Sequence, residues 1–269
     1  MCRYCLLILA IASFAIYAAK KNTQCPHEPL GRSYAILIGL NDYNINDSIL
    51  PQLHYAKSDV NRMAKLLSKQ KYIIDSATDS RATKDNIIKL IEYRISKVSC
   101  QDRILFYFSG HGNVSNDILL LYLWQEDGSF FPKEHLDVPW LCDQITGSRA
   151  MQQVLIIDAC FSGQVGIPQI PVQSFYTNKI VDANFFALTT WAESVRETIY
   201  TDAIVEALSG KADRSGYCNR DGIVDAFELG RYVDEKVSRT TDKNGNRYRS
   251  RMVFIGSGEL PLTSVDCGK

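Results

Sequence analysis

An acid and a thiol stand two places apart at the end of an apolar run: Asp158 and Cys160 in VLIIDACFSG, residues 154–163. A cysteine attacks as its thiolate, so a catalytic one needs a base within reach, and imidazole titrates in the right range. The chain has four histidines. His27 and His54 lie in or beside polar stretches and His135 in a mixed segment, whereas His111 falls in SGHG at the end of the run RILFYFSGHG, residues 103–112. Both runs read as strands buried on both faces, the habit of parallel sheets, and ligands collect beyond the carboxyl ends of such strands. His111 and Cys160 are therefore expected at one sheet edge. The glycines beside His111 allow close approach of backbone to a ligand, and the N–H groups of Gly112 and Cys160 are candidate donors to a developing oxyanion. Singly, each residue has a plainer reading, a buried structural thiol and a loop histidine; together they point to a nucleophile and its base.

The elements that would position this pair follow from periodicity. YAILIGL (34–40) is a further buried strand, and LHYAKSDVNRMAKLLSKQ carries apolar residues at helical spacing, from Leu53 through Ala56, Val60 and Met63 to Leu67. KYIIDSATD reads as a short strand and turn, and Thr83 with Asn86 starts an amphipathic helix. ILLLYLW is hairpin-like, and a helix is expected near Leu136 to Gln144. The stretch from Gln164 to Asn184, with two prolines and no clean period, reads as a long exposed loop. FFALTT is a strand, YTDAIVEALSG a helix closing on Gly210, FELGRYVDEKV another helix and RMVFIGSG a last strand. Alternation of this kind argues one doubly wound α/β domain.

Composition bounds the class. Of 269 residues 46% are hydrophobic and 22% charged, enough for a sizeable core, and 30 basic residues balance 30 acidic ones, so no overall field favours nucleic acid. Residues 1–19 place Arg3 before an apolar stretch too short for a comfortable membrane span and suited to a signal peptide, with an uncleaved membrane anchor as the alternative. A polar lead-in covers 20–33 and the folded domain 34–269. The expected location is exported, secreted or periplasmic, or anchored at a membrane. Of the eight cysteines, Cys2 and Cys5 fall in the leader, and Cys25 and Cys267 flank the folded region as a candidate clip.

FYFSGHG and DACFSG, in this order and at this separation, resemble the caspase-like cysteine peptidases, above all the metacaspase and bacterial caspase-homologue branch. YAILIGLNDY resembles that family's first strand and LHYAKSDVNRMAKLL its first helix. The resemblance implies a single α/β domain with a mainly parallel six-stranded sheet flanked by helices. It also implies His111 as general base and Cys160 as nucleophile of a cysteine-type endopeptidase working through an acyl-enzyme. No cofactor is required on this reading. Asp158 is a poor activator of the thiol, because like charges disfavour the thiolate. In metacaspases the matching acid, with one in the first helix that falls here on Asp59, lines a pocket for a basic side chain. Cleavage after Arg or Lys is the expectation, with peptide or protein as partner; the plainer reading is that Asp158 shapes its turn and Asp59 faces solvent. Trp191 and Glu193 resemble the segment bordering the substrate groove, with a surface aromatic and a solvated acid as the equal alternative, and Lys179 in the long loop is a candidate self-cleavage site.

YCNRDGIVDAFE (217–228) fits much of an EF-hand loop, with Asn219, Asp221, Gly222 sixth, Asp225 ninth and Glu228 twelfth, although Tyr217 stands where the first ligand belongs. Calcium is thus a candidate ligand; the alternative is an Asp-Gly turn before a helix. A competing reading of the whole chain is a catalytically silent caspase-like module that binds or regulates. A nucleotide-binding domain is disfavoured by the want of a glycine-rich phosphate fingerprint.

Overall fold

The apolar runs become neighbouring strands of one sheet in the computed structural model, which describes residues 30–46, 49–116, 118–161, 184–191, 199–216, 219–241, 249–255 and 260–264. In chain order the strands are β1 (Ser33–Gly39), β2 (Ile73–Thr78), β3 (Arg103–Ser115), β4 (Ile118–Tyr122), β5 (His135–Asp137), β6 (Gln152–Phe161), β7 (Asn184–Trp191), β8 (Ile223–Asp225), β9 (Arg249–Ile255) and β10 (Pro261–Ser264). The helices are α1 (Ala56–Lys69), α2 (Lys84–Lys97), α3 (Val138–Gly147), α4 (Ile199–Glu206) and α5 (Ala226–Ser238).

Six strands form the main path in the order β2-β1-β3-β6-β7-β9. All neighbouring pairs along it are parallel except β7 with β9. The expected mainly parallel six-stranded sheet flanked by helices is therefore present, and β4 and β5 add an antiparallel annex on the far part of β3. Gly31–Lys269 forms one compact unit.

Side-chain alternation divides the core in two. Ile36, Ile38, Phe106, Phe108, Leu155 and Ile157 pack with residues of α2 and α3 on one face. Ala35, Leu37, Leu105, Tyr107, Val154 and Ile156 pack with residues of α1, α4 and α5 on the other. Both faces being covered explains why the strand sequences are apolar throughout.

Several local expectations are met for identifiable reasons. Thr83 caps α2, its side chain accepting from the Asn86 N–H. The helix YTDAIVEALSG ends in a wider turn, Ala207–Lys211, where Gly210 adopts φ 102°, a left-handed conformation suited to glycine. Others differ. β3 and β6 do not stop at the glycines and the acid: β3 runs through His111 to Ser115 because β4 folds back on it, and β6 runs with it to Phe161. The helix expected from Leu136 begins at Val138, since His135–Asp137 pairs with β4 first. The small second sheet of β8 and β10 was not legible in the sequence. The stretches 1–29 and 162–183, with the leader, residues 20–29 of the lead-in and Lys179, lie outside the described residues.

Gly39 shows how the sheet fixes α1. A Cβ there would stand 2.5 Å from the Ala56 carbonyl oxygen and 2.6 Å from Val60 Cγ2, so the end of β1 and the first turn of α1 meet only because residue 39 has no side chain. Gly39→Ala is expected to lift α1 from the sheet, costing about 1–3 kcal/mol as overpacking does. Thermal unfolding would show a lowered Tm; an unchanged Tm would mean that the helix is held elsewhere.

Candidate active site

The parallel register of β3 and β6 sets the site. Ser109 pairs with Asp158, Gly110 with Ala159, His111 with Cys160 and Gly112 with Phe161, so the backbones of residues 111 and 160 are direct neighbours. Both lie beyond the end of β1, whose Gly39 pairs with Ser109, and thus past the carboxyl edge of the sheet. Gly112 pairs on its other side with Leu121 of β4. The side chain of Cys160, like that of Trp191 at the end of β7, lies outside the described atoms, as does Glu193 altogether.

His111 is fixed at two points. Its backbone N–H donates to the Tyr43 hydroxyl at 2.6 Å, and its ring lies against the Tyr43 ring, with centroids 5.1 Å apart. A Cβ on Gly110 would come within 2.6 Å of that hydroxyl, which explains the first glycine of SGHG by space. The imidazole Nε2 lies 2.7 Å from the Pro51 carbonyl oxygen. A carbonyl can only accept, so Nε2 carries the hydrogen and Nδ1 presents the lone pair. Burial lowers the His111 pKa, opposed by the bond to Pro51, so the ring is neutral and able to take a proton at neutral pH.

The loop that supplies Tyr43 and Pro51 is itself tied down. Asp79, at the end of β2, accepts from the Asn41 and Asp42 N–H groups at 2.8 and 3.2 Å. The Leu53 N–H donates to the Asn41 carbonyl at 2.8 Å, closing the loop. Lys57 of α1 pairs with Asp79 at 2.7 Å.

One turn deeper, two acids approach from opposite elements. Asp59 of α1 is 1% exposed in its side chain and accepts from Ser109 Oγ at 3.3 Å and from Arg62 at 2.5 Å. Burial raises its pKa to about 6 despite Arg62. Asp158 accepts from Thr201 Oγ1 at 2.8 Å, and the Tyr107 hydroxyl lies 2.6 Å from the same oxygen. Each hydroxyl has one hydrogen, so the chain of donation runs Tyr107 to Thr201 to Asp158. Burial raises the Asp158 pKa to about 7, with the field of Asp59 adding to it. The two carboxyls therefore feel each other, and neither faces solvent alone. Ser109, Thr201, Arg62, Tyr43 and Pro51 were missed by sequence reasoning. Only Ser109, beside His111, carried a positional hint.

The residues of the calcium expectation are engaged otherwise. Asp225 accepts from the Glu228 N–H at 2.8 Å while Glu228 accepts from the Asp225 N–H at 3.3 Å, a reciprocal cap on α5. Asn219 and Asp221 bond to each other in the Asp-Gly turn, with the Ile223 N–H on Asp221. Among the described residues no three His, Cys, Asp or Glu side chains stand together as a metal site. Residues 219–228 thus form an Asp-Gly turn followed by a helix start, while Tyr217 lies outside the described residues.

Cysteine usage is also distinct at each site. Cys100 is disulfide-bonded. Cys142 on α3 is free and buried, which pushes its thiol up to about 12 and leaves it inert. Among the described residues no helix is long and apolar enough to cross a membrane.

Comparison with known proteins agrees with this geometry. The caspase domain profile matches residues 32–254. Metacaspase-3 of Arabidopsis thaliana is 28% identical over 158 residues, 51% of this chain and 41% of that protein, so the chain matches under half the length of this curated relative. A protein of Geobacter sulfurreducens, known from its crystal structure, superposes with a TM-score of 0.58 at 14% identity, over 88% of this chain and 100% of that one, a likeness of fold. A profile match across nearly the whole described domain, on a sheet that places the histidine and cysteine motifs side by side, shows that the chain belongs to the caspase domain family.

Proposed function

We propose that this protein is a cysteine endopeptidase that cleaves after Arg or Lys, with His111 as base and Cys160 as nucleophile. The observation that carries the reading is the pairing of residues 111 and 160 on adjacent strands, with the imidazole Nε2–H committed to the Pro51 carbonyl. Nδ1 takes the thiol proton as sulfur attacks the peptide carbonyl carbon. The oxyanion is received by the N–H groups of Cys160 and Gly112. Collapse of the tetrahedral species expels the amine, which takes the proton from His111, and leaves an acyl-enzyme. Water, deprotonated by the same nitrogen, then releases the acid and restores the thiol. Every proton and charge in this scheme is carried by the chain's own groups.

The specificity follows from the two acids. A substrate guanidinium or ammonium entering between Asp59 and Asp158 would stabilise their ionised forms and pair with both. Trp191 and Glu193 are proposed to border the groove that holds the rest of the peptide. An exported location, secreted, periplasmic or at a membrane, is supported by the disulfide at Cys100, since such bonds persist in oxidising compartments.

Peptides differing only in Arg, Lys or Asp before the scissile bond test the reading directly. Hydrolysis after Arg and Lys is expected, with Cys160→Ala removing activity and His111→Ala reducing kcat by about 10²–10⁴-fold. Cleavage after Asp alone would overturn the pocket, and no cleavage of any peptide would favour a silent binding module.

The acids add a pH signature. With Asp59 at about 6 and Asp158 at about 7, facing Arg62 and Asp202 as well as the hydroxyls of Ser109, Thr201 and Tyr107, the empty pocket gains protons as pH falls through 7. KM for a basic substrate is therefore expected to rise steeply between pH 7.5 and 5.5 in progress-curve measurements, while a neutral substrate would show no such rise.

Stability moves the opposite way. A carboxyl whose folded pKa lies above its unfolded value of 3.8 favours the folded state when protonated, and that advantage is lost as pH rises from about 4 to 7. Asp158→Asn removes this penalty. Its Tm is expected to exceed the wild-type value at pH 8 by roughly 2–4 °C, the shift that about 1 kcal/mol makes in a domain of this size, and to match it at pH 4. Equal melting at both values would count against a buried charge at Asp158.

A further inference from the structure

Arg62 lies where a basic substrate side chain would go, and the mechanism above makes no use of it. It follows Asp59 by three residues on α1, so the helical repeat sets both on one face. Its Nη2 donates to Asp59 Oδ1 at 2.5 Å, and its Nη1 donates to Asp202 Oδ1 on α4. The side-chain exposures of Asp59, Arg62 and Asp202 are 1%, 36% and 46%, so the guanidinium spans from an inner acid to an outer one. Its Nε is buried without an acceptor, leaving one of its donors unsatisfied in this arrangement.

The charges do not balance around it. Asp59, Asp158 and Asp202 act on one another, and Arg62 is bonded to the first and the third while Asp158 receives the neutral hydroxyl of Thr201. A second cation entering the group would allow Asp59 and Asp158 to ionise together.

We propose that Arg62 is a resident stand-in for the substrate's basic side chain: it holds Asp59 in the unliganded enzyme and is drawn onto Asp202 when an Arg or Lys side chain enters. This deepens the basic-specific reading and rests on it. The inner acid is never left bare in the interior, where an unpaired charge is strongly destabilising. The outer acid, half in solvent, keeps the displaced guanidinium within reach. Every incoming side chain must compete with Arg62, so Arg62 sets a threshold on affinity. A planar fork competes at a carboxylate better than a point charge, so the same residue favours Arg over Lys.

Opposite substitutions at the two ends separate this role from a simple brace between α1 and α4. Full-length wild type, Arg62→Gln and Asp202→Asn would be compared at pH 8, where Asp59 is ionised, on matched Arg and Lys peptides. The Kd of the uncleaved Arg peptide would be measured for each in the Cys160→Ala background. Arg62→Gln is expected to lower KM and Kd for the Arg peptide about 5- to 20-fold and to narrow the preference for Arg over Lys, with the change carried by KM rather than kcat. Asp202→Asn, which leaves Arg62 no outer partner, is expected to raise KM and Kd several-fold. Arg62→Lys, which keeps the charge without the fork, would fall between wild type and Arg62→Gln. Shifts of Arg62→Gln and Asp202→Asn in the same direction, accompanied by lowered Tm, would assign the pair a structural role and overturn the proposal while continued cleavage after Arg or Lys left the peptidase reading intact. Wild type that neither cleaves the Arg and Lys peptides nor, as Cys160→Ala, binds the Arg peptide would remove that reading and this inference together.

Discussion

The whole site depends on one register. Parallel pairing of β3 with β6 sets Ser109 opposite Asp158 and His111 opposite Cys160, and a slip of one residue would separate both pairs at once. The register is enforced far from the chemistry, by the apolar alternation of Leu105, Tyr107, Val154 and Ile156 against α1, α4 and α5 and of Phe106, Phe108, Leu155 and Ile157 against α2 and α3. At the other end of the same strands Arg103 Nε donates to Gln152 Oε1 at 2.8 Å, a buried polar contact between register partners. Core packing and catalytic geometry are thus one problem.

Around that register two clusters of side chains occupy different depths. The imidazole of His111, held by Tyr43 and Pro51, sits on the part of β3 that projects beyond β1. The acid cluster, Asp59, Asp158, Arg62 and Thr201, sits further inward beneath α1 and α4. Burial acts on both. It keeps the imidazole neutral and it lifts the carboxyls towards neutrality.

Much of this was legible in the sequence, for physical reasons. Strands buried on both faces announce themselves as unbroken apolar runs, so β1, β3, β6 and β7 could be read, and with them the edge at which the histidine and cysteine motifs gather. Asp59 could be placed on a helix by its spacing. What could not be read was whatever depends on a distant backbone group. The Pro51 carbonyl and the Tyr43 hydroxyl reach His111 only through the fold, and Arg62 looks in sequence like one more solvated residue on a helix. In the loop 217–228 an Asp-Gly turn followed by Asp and then Glu reads equally as a calcium motif and as a capping box, and the reciprocal cap of Asp225 and Glu228 depends on backbone geometry that spacing does not carry. The continuation of β3 past its glycines was hidden too, since it relies on β4 folding back.

That annex also stiffens the strand that carries the histidine. Gly112 is laced to Leu121 of β4 on one side and to Phe161 of β6 on the other, so His111 rides on a beam clamped along both edges, and loosening β4 is expected to be felt at the imidazole.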